Sequence, residues 1–477
     1  MKKNKLWLLV AAFAVVVLVL AACGNNDDAE VTGDGNIGIA PPGINVDPDV
    51  ELEPITLTYL NWNVGTVEDN NLERQLIAAF MERYPHITVI IDDSYVLAEG
   101  VGWNENLAIL ASTGDLPDVF MVSDIGVALQ GGWALDITDL AMANPEFTSL
   151  PTGMQNTMKF NNRVYSVPLQ QLMMGFFANL DLFDALNLDA PTYGFTMDEF
   201  ETAIREITDL SAPRIGTNAL GSMVNWYPGS ANENLGFFTF DGQYFHLDAP
   251  EMIEAFNLAQ EFNQAGLAFY GLSYEQREVL NGGWHGEVFF NGEMGLWFDG
   301  SWATYAIAQQ GDFDFAFIGI PGGRPIAVLD ILSIGSTTEH AEAAYKLANW
   351  MGSGTEGFLR RLEIVAEQGI TFSGRQPVTA DARLLDAFWL QETTPGFREA
   401  YDNMHRAMFD WNKIIPGWPD ARFYTPTGIN IAHYENAHLG AVTWHGVNGG
   451  INFADYASRL NEAANEIISN VRNAISN

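Results

Sequence analysis

Cys23 is the only cysteine among the 477 residues of this chain. No internal disulfide can form, and no zinc site built from cysteine pairs is available. The fold is therefore held by an apolar core and by hydrogen bonds. The composition permits that, with 48% hydrophobic and 12% aromatic residues. The length suffices for two or three domains of ordinary size.

The cysteine closes an N-terminal address. Lys2, Lys3 and Lys5 form a positive flank, and an apolar run follows from Leu6 to Ala22. It ends in Leu20-Ala21-Ala22-Cys23-Gly24, with small residues before the cysteine. Positive flank, short apolar core and small-residue cleavage site make residues 1–22 an export signal. The run is at the lower margin for spanning a bilayer. Leu-Ala-Ala-Cys resembles the lipobox of bacterial lipoproteins. The resemblance implies a diacylglyceryl group on the Cys23 thiol, cleavage before Cys23, and anchoring at the outer face of the bacterial cytoplasmic membrane. A secreted chain with an incidental cysteine and an uncleaved anchor are the plainer alternatives. Residues 23–53 hold no aromatic residue and no Lys or Arg. They bury too little apolar surface to offset their ordering entropy and read as a flexible acidic tether.

Charge narrows the partners. The chain has 22 Lys+Arg against 60 Asp+Glu, a formal net charge of −38, and the signal removes three more lysines. Such a field repels nucleic acid and anionic headgroups. Nucleic acid is excluded as a partner, and polyanionic ligands are disfavoured unless a local Arg pocket overrides the field.

Ile55 to Leu60 reads as a strand. Between Glu68 and Tyr84, Leu72, Leu76 and Phe80 recur every four residues, one face of a helix that Pro85 stops. His86 to Asp92 is a second strand, and this order predicts parallel pairing. A helix around Trp103 to Ser112, a Gly114-Asp115 break and a strand Val119 to Val122 follow. Thr196 and Glu199 fit a capping box, and Ser336 and Glu339 could form another. Alternating strands and helices predict an α/β fold with parallel sheets.

These pieces, in this order, resemble bacterial extracellular solute-binding proteins of the sugar-binding group. The run Leu107 to Asp124 matches the family's helix, Gly-Asp-x-Pro-Asp turn and strand. Asn162 to Pro168 resembles its Gly-Lys-x-Tyr-Gly-x-Pro crossover, and Ala178 to Phe183 its Tyr-Asn-Lys-Asp-Leu-Phe. Phe290 to Gly295 with Gly300-Ser301-Trp302 resembles its Gly-x-Trp region. Two departures stand out. Val328-Leu329-Asp330-Ile331 replaces a stretch often carrying paired glycines, and Asn162-Arg163 replaces Gly-Lys.

The resemblance implies a two-lobed periplasmic-binding-protein-like α/β fold with a ligand cleft between lobes joined by hinge crossovers. Crossings are expected near Val167–Leu169, Ala327–Ile331 and Gln376–Val378. The first lobe would comprise 54–166 plus 332–375, and the second 167–331 plus 376–477. The implied function is capture of a carbohydrate, expected to be an oligosaccharide, by hinge closure, and its delivery to the permease subunits of an ABC transporter. A monomer without metal or cofactor is expected.

A sugar offers apolar faces and a rim of hydroxyls, so its site needs flat aromatics beside matched polar groups. Trp62 and Asn63 follow the first strand at its carboxyl end, where open α/β sheets bind ligands. Asp124 ends another strand, though a helix N-cap is its simpler role. Gln170 and Gln171 lie just past the first crossing. Trp226 sits in a turn-rich stretch, and Trp284 in a Gly-rich one. Asp299 and Trp302 fall in the Gly-x-Trp region, with core packing the plain alternative. Asp330 and Arg375 are candidates whose bland role is an ion pair. Tyr424 is the last candidate, with Trp418 competing for its place. Trp103, Trp133, Trp350 and Trp389 read as core.

The rival classes are an exported lipid-anchored enzyme degrading polysaccharide and a sensor or adhesin reusing the fold. An enzyme would need two positioned carboxylates, which 60 acidic residues neither support nor exclude. No Gly-x-Ser-x-Gly elbow, His-Glu-x-x-His motif or P-loop occurs in the sequence. The expectation is a binder and not an enzyme.

Overall fold

The computed structural model describes residues 52–93, 95, 100–369, 374–379, 381–431 and 434–476. The export signal, Cys23 and the tether up to residue 51 lie outside the described residues. Among the described residues no helix is long and apolar enough to cross a membrane.

The chain opens as its periodicity predicts. Strand β1 (Ile55–Leu60) leads through the helix Leu72–Arg83 to β2 (Ile87–Asp92). The two strands pair in parallel, Ile55 opposite Ile87 and Leu60 opposite Asp92. Asn71 caps that helix by accepting the Arg74 amide. The helix Trp103–Thr113 ends on Gly114 in the left-handed conformation and feeds β3 (Val119–Val122), which pairs with β1 in parallel. A short hairpin of β4 (Lys159–Phe160) and β5 (Arg163–Val164) follows. Its turn residues Asn161 and Asn162 both have positive φ, a conformation asparagine tolerates. That explains how Asn162 can replace glycine there.

Strand β6 (Val167–Asn179) is thirteen residues long. After it come β7 (Ile215–Thr217), β8 (Met294–Gly300), β9 (Phe315–Gly319), β10 (Ile326–Ile334) and β11 (Met408–Asp410). The main sheet runs β2-β1-β3-β10-β6-β8-β7, with β11 paired to β10 and β9 to β6. A separate hairpin joins β12 (Pro426–Ile431) to β13 (Tyr434–His438).

The expectation of parallel sheets is corrected here. β10 pairs antiparallel with both β3 and β6, and β6 with β8 and β9. The sheet is mixed because β6 and β10 carry the chain from one half of the molecule to the other in opposite directions.

Two main cores lie at the two ends of these long strands. One gathers Leu57, Phe80, Phe120, Leu332 and Trp350, the other Phe176, Phe200, Phe256, Trp418 and Ile468. A third cluster holds Phe177, Phe289 and Trp297. Phe176 and Phe177 enter different clusters because successive strand residues face opposite sides. Leu384 and Phe388 pack with Phe358, Leu362 and Val365 in a small separate cluster.

The Thr196–Glu199 capping box forms as expected. The one expected from Ser336 and Glu339 does not. The helix starts later, at Ala341 behind His340, while the Ser336 hydroxyl donates to the Gly132 carbonyl.

Candidate functional site

Strand direction fixes where ligand-facing loops collect. Val122 at the end of β3 pairs with Ile331, next to Pro168 on β6. Gly300 at the end of β8 pairs with Met174 on the same β6. The carboxyl ends of β1 and β3 therefore point toward those of β7 and β8. Six residue steps along β6, from Pro168 to Met174, separate the two rows, about 20 Å at strand rise. Over this gap β6 and β10 form the floor, with Gln170 opposite Asp330 and a register shift between Asp330 and Ile331. Gln376 bridges to Gln171 beside them.

On the first side, Asn61 follows β1 and accepts the Asn63 amide at 2.8 Å, starting a short 3-10 helix at Trp62. Trp62 is half-buried and packs edge-on against Trp103 at 5.0 Å. The Lys413 ammonium lies 5.2 Å from the centre of its ring. Lys413 also pairs with Asp330, and the Gln170 amide donates to the other Asp330 oxygen. The structure thus joins Trp62, Gln170 and Asp330 through a residue the sequence reading missed. A lone lysine in an apolar stretch gave no signal. Asn63 Nδ2, Gln170 Oε1 and Gln376 Oε1 are buried and have no partner among the described residues.

Asp124 is 4% exposed. It caps the next helix by accepting the Gly126 amide at 2.8 Å, its plainer role. Burial, with the nearby Asp420 carboxylate, pushes its carboxyl up to about 6. Gln171 is buried and exchanges backbone hydrogen bonds with Gln376.

On the second side, Asp299 ends β8 and accepts the Gly300 amide. Burial raises its carboxyl above the usual range. Trp302 is 45% exposed, with its indole lying across Gly300, where a Cβ would meet the ring at 2.2 Å. Only glycine permits that approach. Trp284 is 44% exposed and packs edge-on against His285. Past the end of β7 a pocket of about 340 Å³ opens, lined by Leu220, Gly221, Tyr270, Arg422, Phe423 and Trp444, among others. Sequence reading missed its aromatic and Arg residues, which come from three distant segments.

Three candidates remain. Trp226 is corrected: it is 1% exposed inside the helix Met223–Ala231, packed against Phe176 and Phe200. The helix continues through Pro228, so the expected turn does not form. Arg375 pairs with Glu73, which also holds Arg361 at 2.8 Å. Burial pushes the Glu73 carboxyl up, but the two guanidinium groups outweigh it and hold it at about 2. Arg375 is thus engaged by a protein carboxylate, its bland role. Tyr424 is 68% exposed beside Phe423, while its competitor Trp418 is core. Trp103 and Trp350 are buried, and Trp133 and Trp389 pack half-buried against the cores.

Comparison with known proteins agrees with this architecture. Residues 66–354 match the family described as bacterial extracellular solute-binding protein. A multiple sugar-binding protein of Streptococcus mutans is 27% identical over 259 residues, which is 50% of this chain and 59% of the relative. The match thus spans less than two thirds of that relative's length. Among solved structures, an ABC substrate-binding protein from Listeria monocytogenes in complex with cycloalternan superposes with a TM-score of 0.64 at 18% identity, covering 88% of this chain and 99% of that one. A solute-binding protein from Thermotoga lettingae bound to α-D-tagatose gives 0.62 at 17%, covering 87% and 99%. A sugar-binding protein from Xanthomonas citri gives 0.61 at 16%, covering 87% and 98%. These likenesses concern the two-lobed fold. With more than half of its length matched, the chain belongs to the family of bacterial extracellular solute-binding proteins.

Proposed function

We propose that this chain is the lipid-anchored receptor of an ABC importer, capturing a carbohydrate between two lobes and passing it to the permease without chemical change. The observation that carries this reading is the pairing of opposed strand ends. Trp62 stands on one side with buried amides that have no partner among the described residues, and half-exposed Trp302 on the other. Flat aromatics with matched polar groups suit the faces and hydroxyl rim of a sugar. The relative in Streptococcus mutans, named for binding multiple sugars, supports the same ligand class. In this reading residues 54–166 plus 332–375 form one lobe and 167–331 plus 376–477 the other. The long β6 and β10 serve as hinge, and Asn63, Asp124, Gln171, Trp284, Asp299 and Tyr424 join the ligand contacts. Cys23 carries the lipid, and the protein acts as a monomer.

The test is a thermal-shift screen against oligosaccharides, with product analysis of the same mixtures. A ligand at 100 times its dissociation constant adds about 2.7 kcal/mol of stability. X-ray scattering on the hit should show a smaller radius of gyration, as hinge closure requires. Absence of any shift across the panel, or appearance of cleaved product, overturns the reading. Mass spectrometry showing an unmodified Cys23 overturns the anchor.

A further inference from the structure

Arg422 differs from buried Arg361 and half-buried Arg324. Arg361 is held by the Glu73 carboxylate. Arg324 donates to three backbone carbonyls, of Gly229, Leu235 and Arg406. Arg422 is 7% exposed, yet among the described residues its side chain donates to a single neutral group, the Thr443 hydroxyl, at 3.2 Å. Its guanidinium lies 3.9 Å from the centre of the Phe238 ring and 5.0 Å from that of Phe423. Among the described residues no carboxylate comes within 4.0 Å of it. Asp410 acts on it only through the field.

A buried cation without an ion-pair partner is costly. Burial lowers the Arg422 pKa to about 9, so the group stays charged at neutral pH. Arg422 lines the 340 Å³ pocket beyond the end of β7. The pocket has flat walls: Tyr270 is 40% and Trp444 62% exposed. Asn263, which also lines it, keeps a buried amide oxygen with no partner among the described residues. β7 runs parallel to β8, so Leu220 and Gly221 open on the same side as Trp302.

We propose that this pocket is a subsite for an acidic sugar residue, a hexuronate within an oligosaccharide, with Arg422 receiving its carboxylate and Trp444 covering its ring. The proposal rests on the carbohydrate reading above and specifies its ligand class. A planar guanidinium suits a carboxylate, giving two parallel hydrogen bonds that a hydroxyl cannot match. It also resolves a tension in the composition. A chain of net charge −38 repels anions at long range, so an acidic ligand needs one buried cation at the point of contact. One such site admits an isolated carboxylate and leaves a dense polyanion excluded.

The test is calorimetry on the full chain with an aldotriouronate, a xylobiose carrying one glucuronate, and with the same trisaccharide after its single carboxyl is reduced to an alcohol. Cellotriose and maltotriose serve as neutral references. Acidic trisaccharide should bind at least about 100-fold more tightly than its reduced form. Arg422→Gln should erase that preference, and Arg422→Lys should recover part of it. The paired ligands on the unmodified chain keep the test valid should Arg422→Gln fail to fold. Equal or tighter binding of the neutral sugars overturns the acidic subsite while leaving the carbohydrate receptor standing. Binding of neither kind overturns the acidic subsite, and together with no shift anywhere in the oligosaccharide panel it overturns the receptor as well.

Discussion

The two walls of the cleft handle charge in opposite ways. On the wall around Trp62, Lys413 is neutralised by Asp330, which also receives Gln170. Nearby, Glu73 is shared by Arg361 and Arg375. Beyond β7 and β8, Arg422 has no ion-pair partner among the described residues, and Trp302, Tyr270 and Trp444 are open to solvent. A wall whose charges are internally matched is rigid before any ligand arrives, because each group is already oriented. A wall with open aromatics and an unmatched cation gains most on contact. In the proposed reading the first wall is the template, and the second carries discrimination between ligands.

The sharpest way to separate core from wall is Trp226→Ala against Trp302→Ala. Trp226 is enclosed, so its truncation should cost about 3–5 kcal/mol and lower the melting temperature by several degrees, read by calorimetry. Breaking the template wall comes next. Lys413→Met leaves the buried Asp330 carboxylate alone and should cost about 3 kcal/mol in denaturant titration. Adding Asp330→Asn should recover much of that loss. Additive losses would mean that the pair is not coupled.

A smaller effect should come from Asp124. Its carboxyl rises from 3.8 unfolded to about 6 folded. Between these values the folded chain holds a proton that the unfolded chain has released, so stability falls as pH rises through that window. Asp124→Asn keeps the helix cap and removes the titration. It should be more stable than the parent by about 2 kcal/mol at pH 7.5 and no different below pH 4. The smallest effect belongs to Trp302→Ala. Loss of its exposed indole should weaken ligand binding about tenfold, roughly 1.4 kcal/mol, with the melting temperature unchanged. A large drop in melting temperature would return Trp302 to the core.

Local signals were legible in the sequence wherever local forces decide the outcome. The Leu72, Leu76 and Phe80 period, the strands on either side and the Thr196–Glu199 box all appear as expected. Residues decided by tertiary packing were not legible. Trp226 reads as a turn residue because Pro228 and Gly229 follow it. In the fold a helix runs through both, and Gly229 is required where a Cβ would meet Met408 at 2.1 Å. Lys413 and Arg422 carry no local pattern. Their roles depend on Asp330 and Phe238, far away in sequence. The antiparallel course of β10 escaped for the same reason, since periodicity does not report direction.

The route of β10 also sets the order in which the molecule can be completed. Its last four residues close the first half of the sheet by pairing with β3, Ile331 opposite Val122 and Ile334 opposite Val119. These partners lie roughly two hundred residues apart, and the whole middle of the chain is made between them. Pairings of such separation form slowly, because loop closure must precede any gain from contact. The N-terminal half therefore stays unfinished until synthesis has passed residue 334.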